Sequence, residues 1–241
     1  MISKNLIDDL TRKYQTTRLN VAREYCQHLF LSSFYQRKRS DHILFKGGTA
    51  LRVLYNSPRF SEDLDFTAYN ITTRQVETVF IDSLDEITQT GISVDIEEAK
   101  TTSGGYLAKV RFTFLDFKET VQIEVSMRQK KKKIASDVIL VNSDYIPPYN
   151  VVSLEEKHLI DEKIQALLYR AKPRDFFDIY YLLRAHLSTP KNKFPLYKVL
   201  KKLEETKVDF KRELMLFLPK SHHHVLKNFQ NILRRELKKY V

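Results

Sequence analysis

Apolar residues recur at three- and four-residue spacings through "LIDDLTRKYQ" and "RLNVAREYCQHLFLSSFYQR", which predicts helix over most of the first 38 residues. The pattern breaks at Gly47-Gly48 and resumes in "TALRVLY", a short helix with Thr49 near its N-cap. "NSPRFSE" reads as a loop punctuated by Asn56 and Pro58, and "DLDFTAY" then alternates as a strand does. "TTRQVETVFIDSLDEIT" reads as a helix following Thr72. Three β-rich stretches come next, "ISVDIEEAK", "YLAKVRFTFL" and "TVQIEVSM", then a short strand in "DVILV" and a stiff connector in "YIPPYN". From Ser153 the period is helical to the end, with Ser153 and Glu156 at capping-box spacing. The pattern predicts an α+β domain over residues 1–150 followed by a helical domain over residues 151–241.

Composition narrows the class. A hydrophobic content of 42% with 29% charged residues, in 241 residues, describes a globular chain able to bury a core. No apolar run approaches the ~18 residues that span a bilayer, and the N-terminal stretch carries acids and lacks the apolar segment of a secretory signal. A single cysteine, Cys26, excludes an internal disulfide framework and a cysteine-based zinc site, so a reducing cytoplasm is the expected location. Cys26 lies in an apolar helical run and is expected in the core. The net charge of +11 is concentrated: residues 191–241 hold 14 Lys/Arg against 5 Asp/Glu. A second concentration is Lys130, Lys131, Lys132 and Lys133. Segregated basic charge suits a polyanionic partner such as RNA, and also suits a plain solvated surface.

The candidate chemistry lies in "FKGGTALRVLYNSPRFSEDLDF". In an extended strand Asp63 and Asp65 share one face, with Leu64 and Phe66 on the other. Two carboxylates roughly 6 Å apart repel by about 3 kcal/mol at an effective dielectric of about 20. A divalent cation removes that conflict, and oxygen ligands of this kind suit Mg²⁺ or Mn²⁺. Upstream, Gly47-Gly48 permits close backbone approach, and the helix that follows turns N–H groups and a positive dipole end toward a ligand. Lys46, Gly47, Gly48 and Thr49 thus form a candidate triphosphate cradle, with Arg52, Arg59 and Ser61 within reach of phosphate oxygens. Glu124, mid-strand in "VQIEVSM" and sharing a face with Gln122 and Ser126, is the candidate third carboxylate.

"KGGTALRVLY…RFSEDLDF" resembles the signature of the AbiEii family of nucleotidyltransferase toxins, in the DNA polymerase β superfamily. Gly48-Thr49 takes the place of that superfamily's Gly-Ser turn, and Asp63, Asp65 and Glu124 fill its three acidic places. The helical half continues the resemblance: "SLEEKHLIDEKIQALLYRAKPRDFFDIYYLL" is similar to the family's second signature. By that match Lys163 contacts the nucleotide triphosphate, and Asp175 and Asp178 stand at the downstream acidic positions. The likeness spans roughly residues 40–185. It implies a polymerase-β-type mixed sheet with flanking helices, then a helical domain. It also implies a metal-dependent transferase that takes a nucleotide from an NTP, with an RNA acceptor such as a tRNA 3′ end and a cognate antitoxin as partners.

The residues themselves leave alternatives open. Glu156, Lys163 and Arg170 are seven apart and share a helix face, and Asp175 and Asp178 are neighbours on theirs, so an interhelical ion pair accounts for them as well. A transferase that modifies a protein, or a silent nucleotide- or RNA-binding module of the same fold, competes with RNA transfer. Tyr180, Tyr181, Phe194 and Tyr197 offer stacking surface near basic residues. Three consecutive histidines, His222, His223 and His224, point about 100° apart on a helix and do not converge on one ion.

Overall fold

The computed structural model describes residues 1–128, 134–185, 187 and 193–241. Lys130, Lys131, Lys132 and Lys133 lie outside the described residues, as does the Phe194 side chain. The chain divides into two compact units. One comprises Met1–Asn56 and Phe60–Leu154, the other Ser57–Arg59 and Glu155–Val241.

In the first unit, helices α1 (Lys4–Lys13) and α2 (Arg18–Phe34) lead into strand β1 (Ile43–Lys46) and helix α3 (Gly47–Tyr55). Strand β2 (Leu64–Tyr69) and helix α4 (Thr73–Gln89) follow, then β3 (Ser93–Thr102), β4 (Gly105–Phe114), β5 (Phe117–Arg128), β6 (Ser136–Val141) and β7 (Tyr149–Leu154). The strands form one mixed sheet in the order β3-β4-β5-β2-β1-β7-β6. β2 runs parallel to β5, and β1 to β7; the other neighbours are antiparallel. α2 buries 12 of its 17 residues, so it is enclosed on several sides and shows no clean apolar stripe. Phe30 and Phe34 of α2 stack 5.3 Å apart, and Phe34 meets Phe66 of β2 at the same separation. α4 starts as expected: Thr72 and Gln75 form a reciprocal capping box.

Two expectations are corrected here. Ser153 does not cap a helix. It pairs with Phe45 in the parallel β1–β7 ladder, and its hydroxyl donates to the Phe45 carbonyl at 3.2 Å. Long-range strand pairing overrides the local capping signal, and helix α5 begins at Glu156. The short helix after β1 likewise starts at Gly47, two residues before the expected cap at Thr49, with Lys46 in the N-cap position.

The second unit holds α5 (Glu156–Arg170), α6 (Pro173–Arg184), α7 (Lys193–Glu205), α8 (Phe210–Leu214), α9 (His223–Leu226) and α10 (Phe229–Leu237). Its centre is aromatic: Phe229 lies 5.1 Å from Phe210 and 5.9 Å from Phe177, and Phe210 lies 5.5 Å from Phe176. The C-terminal stretch "HVLKNFQNILRRELKKY", whose pattern is helical throughout, is broken between α9 and α10. No helix among the described residues is long and apolar enough to cross a membrane.

Candidate active site

β1 passes into α3 without an intervening loop, and Gly47 makes this possible. Its φ is +87°, a conformation that L side chains rarely adopt. A Cβ there would collide with Asp65 Oδ2 and lie 2.7 Å from Asp65 Cβ. The Asp65 carboxylate therefore rests against the backbone at the start of α3. The register explains this placement: Asp65 pairs with Lys46 of β1 on one side and with Glu124 of β5 on the other. Register partners on neighbouring strands share a face, so Asp65 and Glu124 are neighbours one strand spacing apart, about 4.8 Å. Leu64 and Phe66 are fully buried on the opposite face.

Asp63 lies just before β2. Its carbonyl accepts the Thr49 hydroxyl at 2.5 Å, so buried Thr49 ties α3 to the entry of the strand rather than presenting its hydroxyl outward. The preceding turn is pinned to α2. The Gln27 amide, 1% exposed, donates to the carbonyls of Ser61 at 2.9 Å and Glu62 at 3.1 Å, and Arg23 holds the Glu62 carboxylate at 3.1 Å. Glu124 is exposed and accepts the Gln122 amide at 2.6 Å.

Among the described residues, no group of three or more His, Cys, Asp or Glu side chains is gathered closely enough to hold a metal ion. Three like charges repel, and Glu124 takes Gln122 as its donor. The donor set fits a hard divalent cation all the same. It consists of carboxylate oxygens alone, two of them in register, beside a glycine cradle that any side chain would fill.

Arg52 and Arg59, both expected at phosphate oxygens, have carboxylate partners of their own. Arg52 donates to Glu24 through Nε at 2.6 Å and Nη2 at 3.2 Å, and its guanidinium lies 4.0 Å from the centre of the Phe60 ring. Glu24 also accepts the Tyr145 hydroxyl at 2.6 Å. Arg52, Glu24 and Tyr145, with Lys13, His28 and Asp144, line a polar cavity of about 470 Å³ near the far end of α3. His28 is buried, with Nδ1 2.7 Å from the Tyr149 hydroxyl; burial pushes its pKa down to about 4 against the opposing charge of Glu24.

In the second unit Asp178 gathers two cations. Arg59 donates to it through Nε at 2.7 Å and Nη2 at 3.0 Å, and Lys163 Nζ at 2.8 Å. All three side chains are at least nine-tenths buried. Burial alone raises the Asp178 pKa, but Arg59 and Lys163 outweigh it and hold the carboxyl below its ordinary value. Asp175 has a different task. It receives Arg170 at 2.9 and 2.7 Å and the Lys172 backbone N–H at 3.1 Å, in the first turn of α6. The two neighbouring acids thus part company, and Asp178 is the partner of Lys163. The histidines make separate bonds, His223 to the Leu218 carbonyl and His224 to that of Ser221. Cys26 is fully buried, as expected.

Sequence reasoning passed over Gln27, Glu24 and the Arg59–Asp178 pair. Gln27 had a signal, a polar amide inside the apolar run "EYCQHLF". Arg59 had none, since its partner is 119 residues away.

With this geometry in place, the match to a protein family gives the class. Residues 29–239 match the family described as "Nucleotidyl transferase AbiEii toxin, Type IV TA system", and the chain belongs to that family. It is a nucleotidyltransferase toxin of a type IV toxin–antitoxin system. Its fold is similar to that of MenT4, a nucleotidyltransferase toxin from Mycobacterium tuberculosis, at 14% identity and a TM-score of 0.67, covering 99% of this chain and 90% of that one. JHP933 from Helicobacter pylori matches at 18% identity and a TM-score of 0.57, covering 93% and 95%. At these identities the likeness speaks to fold alone. No curated protein matches the chain significantly.

Proposed function

We propose that the chain transfers a nucleotide from an NTP to an RNA acceptor, with a tRNA 3′ end as the first candidate, in a reaction that requires Mg²⁺ or Mn²⁺. The observation that carries this reading is the Asp65 carboxylate seated against Gly47 and in register with Glu124. Asp63, Asp65 and Glu124 would hold the divalent cation, which supplies charge neutralisation and activates the attacking hydroxyl. The backbone N–H groups of Gly47, Gly48 and Thr49, at the positive end of α3, bind the phosphates. Lys163 supplies counter-charge to the triphosphate. Asp178 already has Arg59 as a bidentate partner, so the Lys163 charge is surplus to local neutrality. Arg52 and Arg59 are not among the nucleotide ligands we propose, because Glu24 and Asp178 engage them.

The acceptor is inferred from charge. The excess of Lys/Arg over residues 191–241 suits a phosphate backbone. Incubating the purified protein with labelled NTPs, Mg²⁺ and total RNA tests the proposal. Label in RNA supports it, label in protein moves the function to protein modification, and no label in either refutes transfer. The cognate antitoxin, expected in a cytoplasm shared with the toxin, should suppress the reaction or its expression.

A further inference from the structure

Between α3 and β2 the chain changes units twice within a few residues. Asn56, at φ +59°, caps α3 and closes the first unit's early segment; Ser57–Arg59 belong to the second unit, and Phe60 is back in the first. The excursion is tightly built. Pro58 fixes one φ, Ser57 is 1% exposed and its hydroxyl accepts the Arg59 N–H at 3.4 Å, and the Arg59 guanidinium grips Asp178 with two bonds. Asp63 follows only four residues later and Asp65 six. The downstream part of the same loop is fixed in the first unit, by Arg52 over Phe60, Gln27 on the carbonyls of Ser61 and Glu62, and Thr49 on that of Asp63.

We propose that the Arg59–Asp178 pair is a positioning device for the acidic strand. It fixes the upstream end of the loop that delivers Asp63 and Asp65, while the same carboxylate fixes Lys163 Nζ. Arg59 acts through the backbone to Asp63 and does not touch the substrate. The link to catalysis rests on the nucleotidyltransferase reading; the anchoring of the loop does not.

Stability alone is a poor reason for such a pair. Buried ion pairs are often replaced by well-packed apolar groups without loss. A bidentate Arg–carboxylate pair instead fixes direction as well as distance, because both donors of the fork must meet both oxygens. Asp178 also shares Oδ2 between Arg59 and Lys163. Removing the guanidinium would therefore free the loop and let the lysine shift onto the vacated oxygen at once.

The test uses Arg59→Met and Arg59→Lys in the full chain, with Leu233→Ala as a control that damages the second unit's core elsewhere. Amide hydrogen exchange over residues 60–66 is read without nucleotide, and Mn²⁺ binding is titrated by electron paramagnetic resonance. Arg59→Met should speed exchange over 60–66 at least tenfold and raise the half-saturating Mn²⁺ concentration at least fivefold; Arg59→Lys, keeping the charge without the fork, should fall between. Leu233→Ala should lower the melting temperature while leaving both readouts unchanged. Wild-type exchange and wild-type Mn²⁺ saturation in folded Arg59→Met overturn the proposal, as does Leu233→Ala giving the same shifts. If Arg59→Met does not fold, Arg59→Lys decides on the same criteria. Wild-type protein that transfers no nucleotide would refute the proposed function, and the exchange comparison would still decide the anchor.

Discussion

Replacing Lys163 and replacing Asp178 should have opposite signatures, because the buried cluster holds two cations on one carboxylate. Lys163→Met removes a positive charge that is nine-tenths buried and keeps a stem of similar length. Asp178 retains its two bonds to Arg59, and the cluster becomes neutral. Exchanging buried charge for packed apolar surface is commonly neutral or mildly stabilising, so folding stability should change by no more than about 1 kcal/mol. Asp178→Asn leaves Arg59 and Lys163 facing each other out of water, which costs about 3–5 kcal/mol. In a chain of this length that corresponds to a drop in Tm of about 6–20 °C. Thermal unfolding followed by far-ultraviolet circular dichroism measures the difference, and the NTP transfer assay gives the second axis. Lys163→Met should unfold like wild type and lose transfer by at least a hundredfold. Lys163→Met as unstable as Asp178→Asn would show that the lysine is structural, and full transfer by Lys163→Met would remove it from the reaction.

Gly47→Ala should abolish transfer, since it combines a positive φ with a collision against the Asp65 carboxylate, whereas Gly91→Ala, at φ +85° with Met1 Cε 3.5 Å away as its nearest neighbour, should cost about 1–2 kcal/mol of stability and keep activity. His28 stays neutral in the folded chain down to about pH 4 but protonates near pH 6.5 when unfolded. The unfolded state therefore binds more protons in that window, so this contribution is full above pH 6.5 and falls by up to about 3 kcal/mol on acidification to pH 4. Urea titrations across that range should show a shallower decline in His28→Gln. Arg235→Gln and Lys238→Gln together, both exposed on the C-terminal basic segment, should weaken RNA binding and reduce the salt slope by about one for each phosphate no longer neutralised, as read by filter binding at several salt concentrations. An unchanged slope would move the RNA surface elsewhere.

Features governed by local chemistry were legible in the sequence. The helix start after Thr72, the alternation of β2 and the glycine turn ahead of Asp63 and Asp65 need only their immediate neighbours, and each lies where the pattern puts it. Features governed by distant pairing were not. β7 was hidden because Ser153 and Glu156 mimic a helix start, and its strand identity comes from pairing along its whole length with β6 and, at Ser153, with Phe45, 108 residues away. Arg52 on α3 and Arg59 in the loop after it look like phosphate ligands, yet Glu24 and Asp178 claim them, and no spacing rule announces either partner. Strand alternation and family resemblance single out the three acids as a candidate set. Their side-chain separation depends on rotamers and on the Gln122 hydrogen bond, which a one-dimensional pattern does not encode.

The Ser57–Arg59 excursion also bears on how this protein can be cut, shuffled or inherited in pieces. A break after residue 154 looks like a natural seam, but a fragment beginning there would leave its own buried Asp178 with Lys163 alone, without the two-pronged guanidinium partner. The helical half is therefore not a portable module, and recombination that swaps it between relatives must bring along three residues encoded nearly a hundred codons upstream.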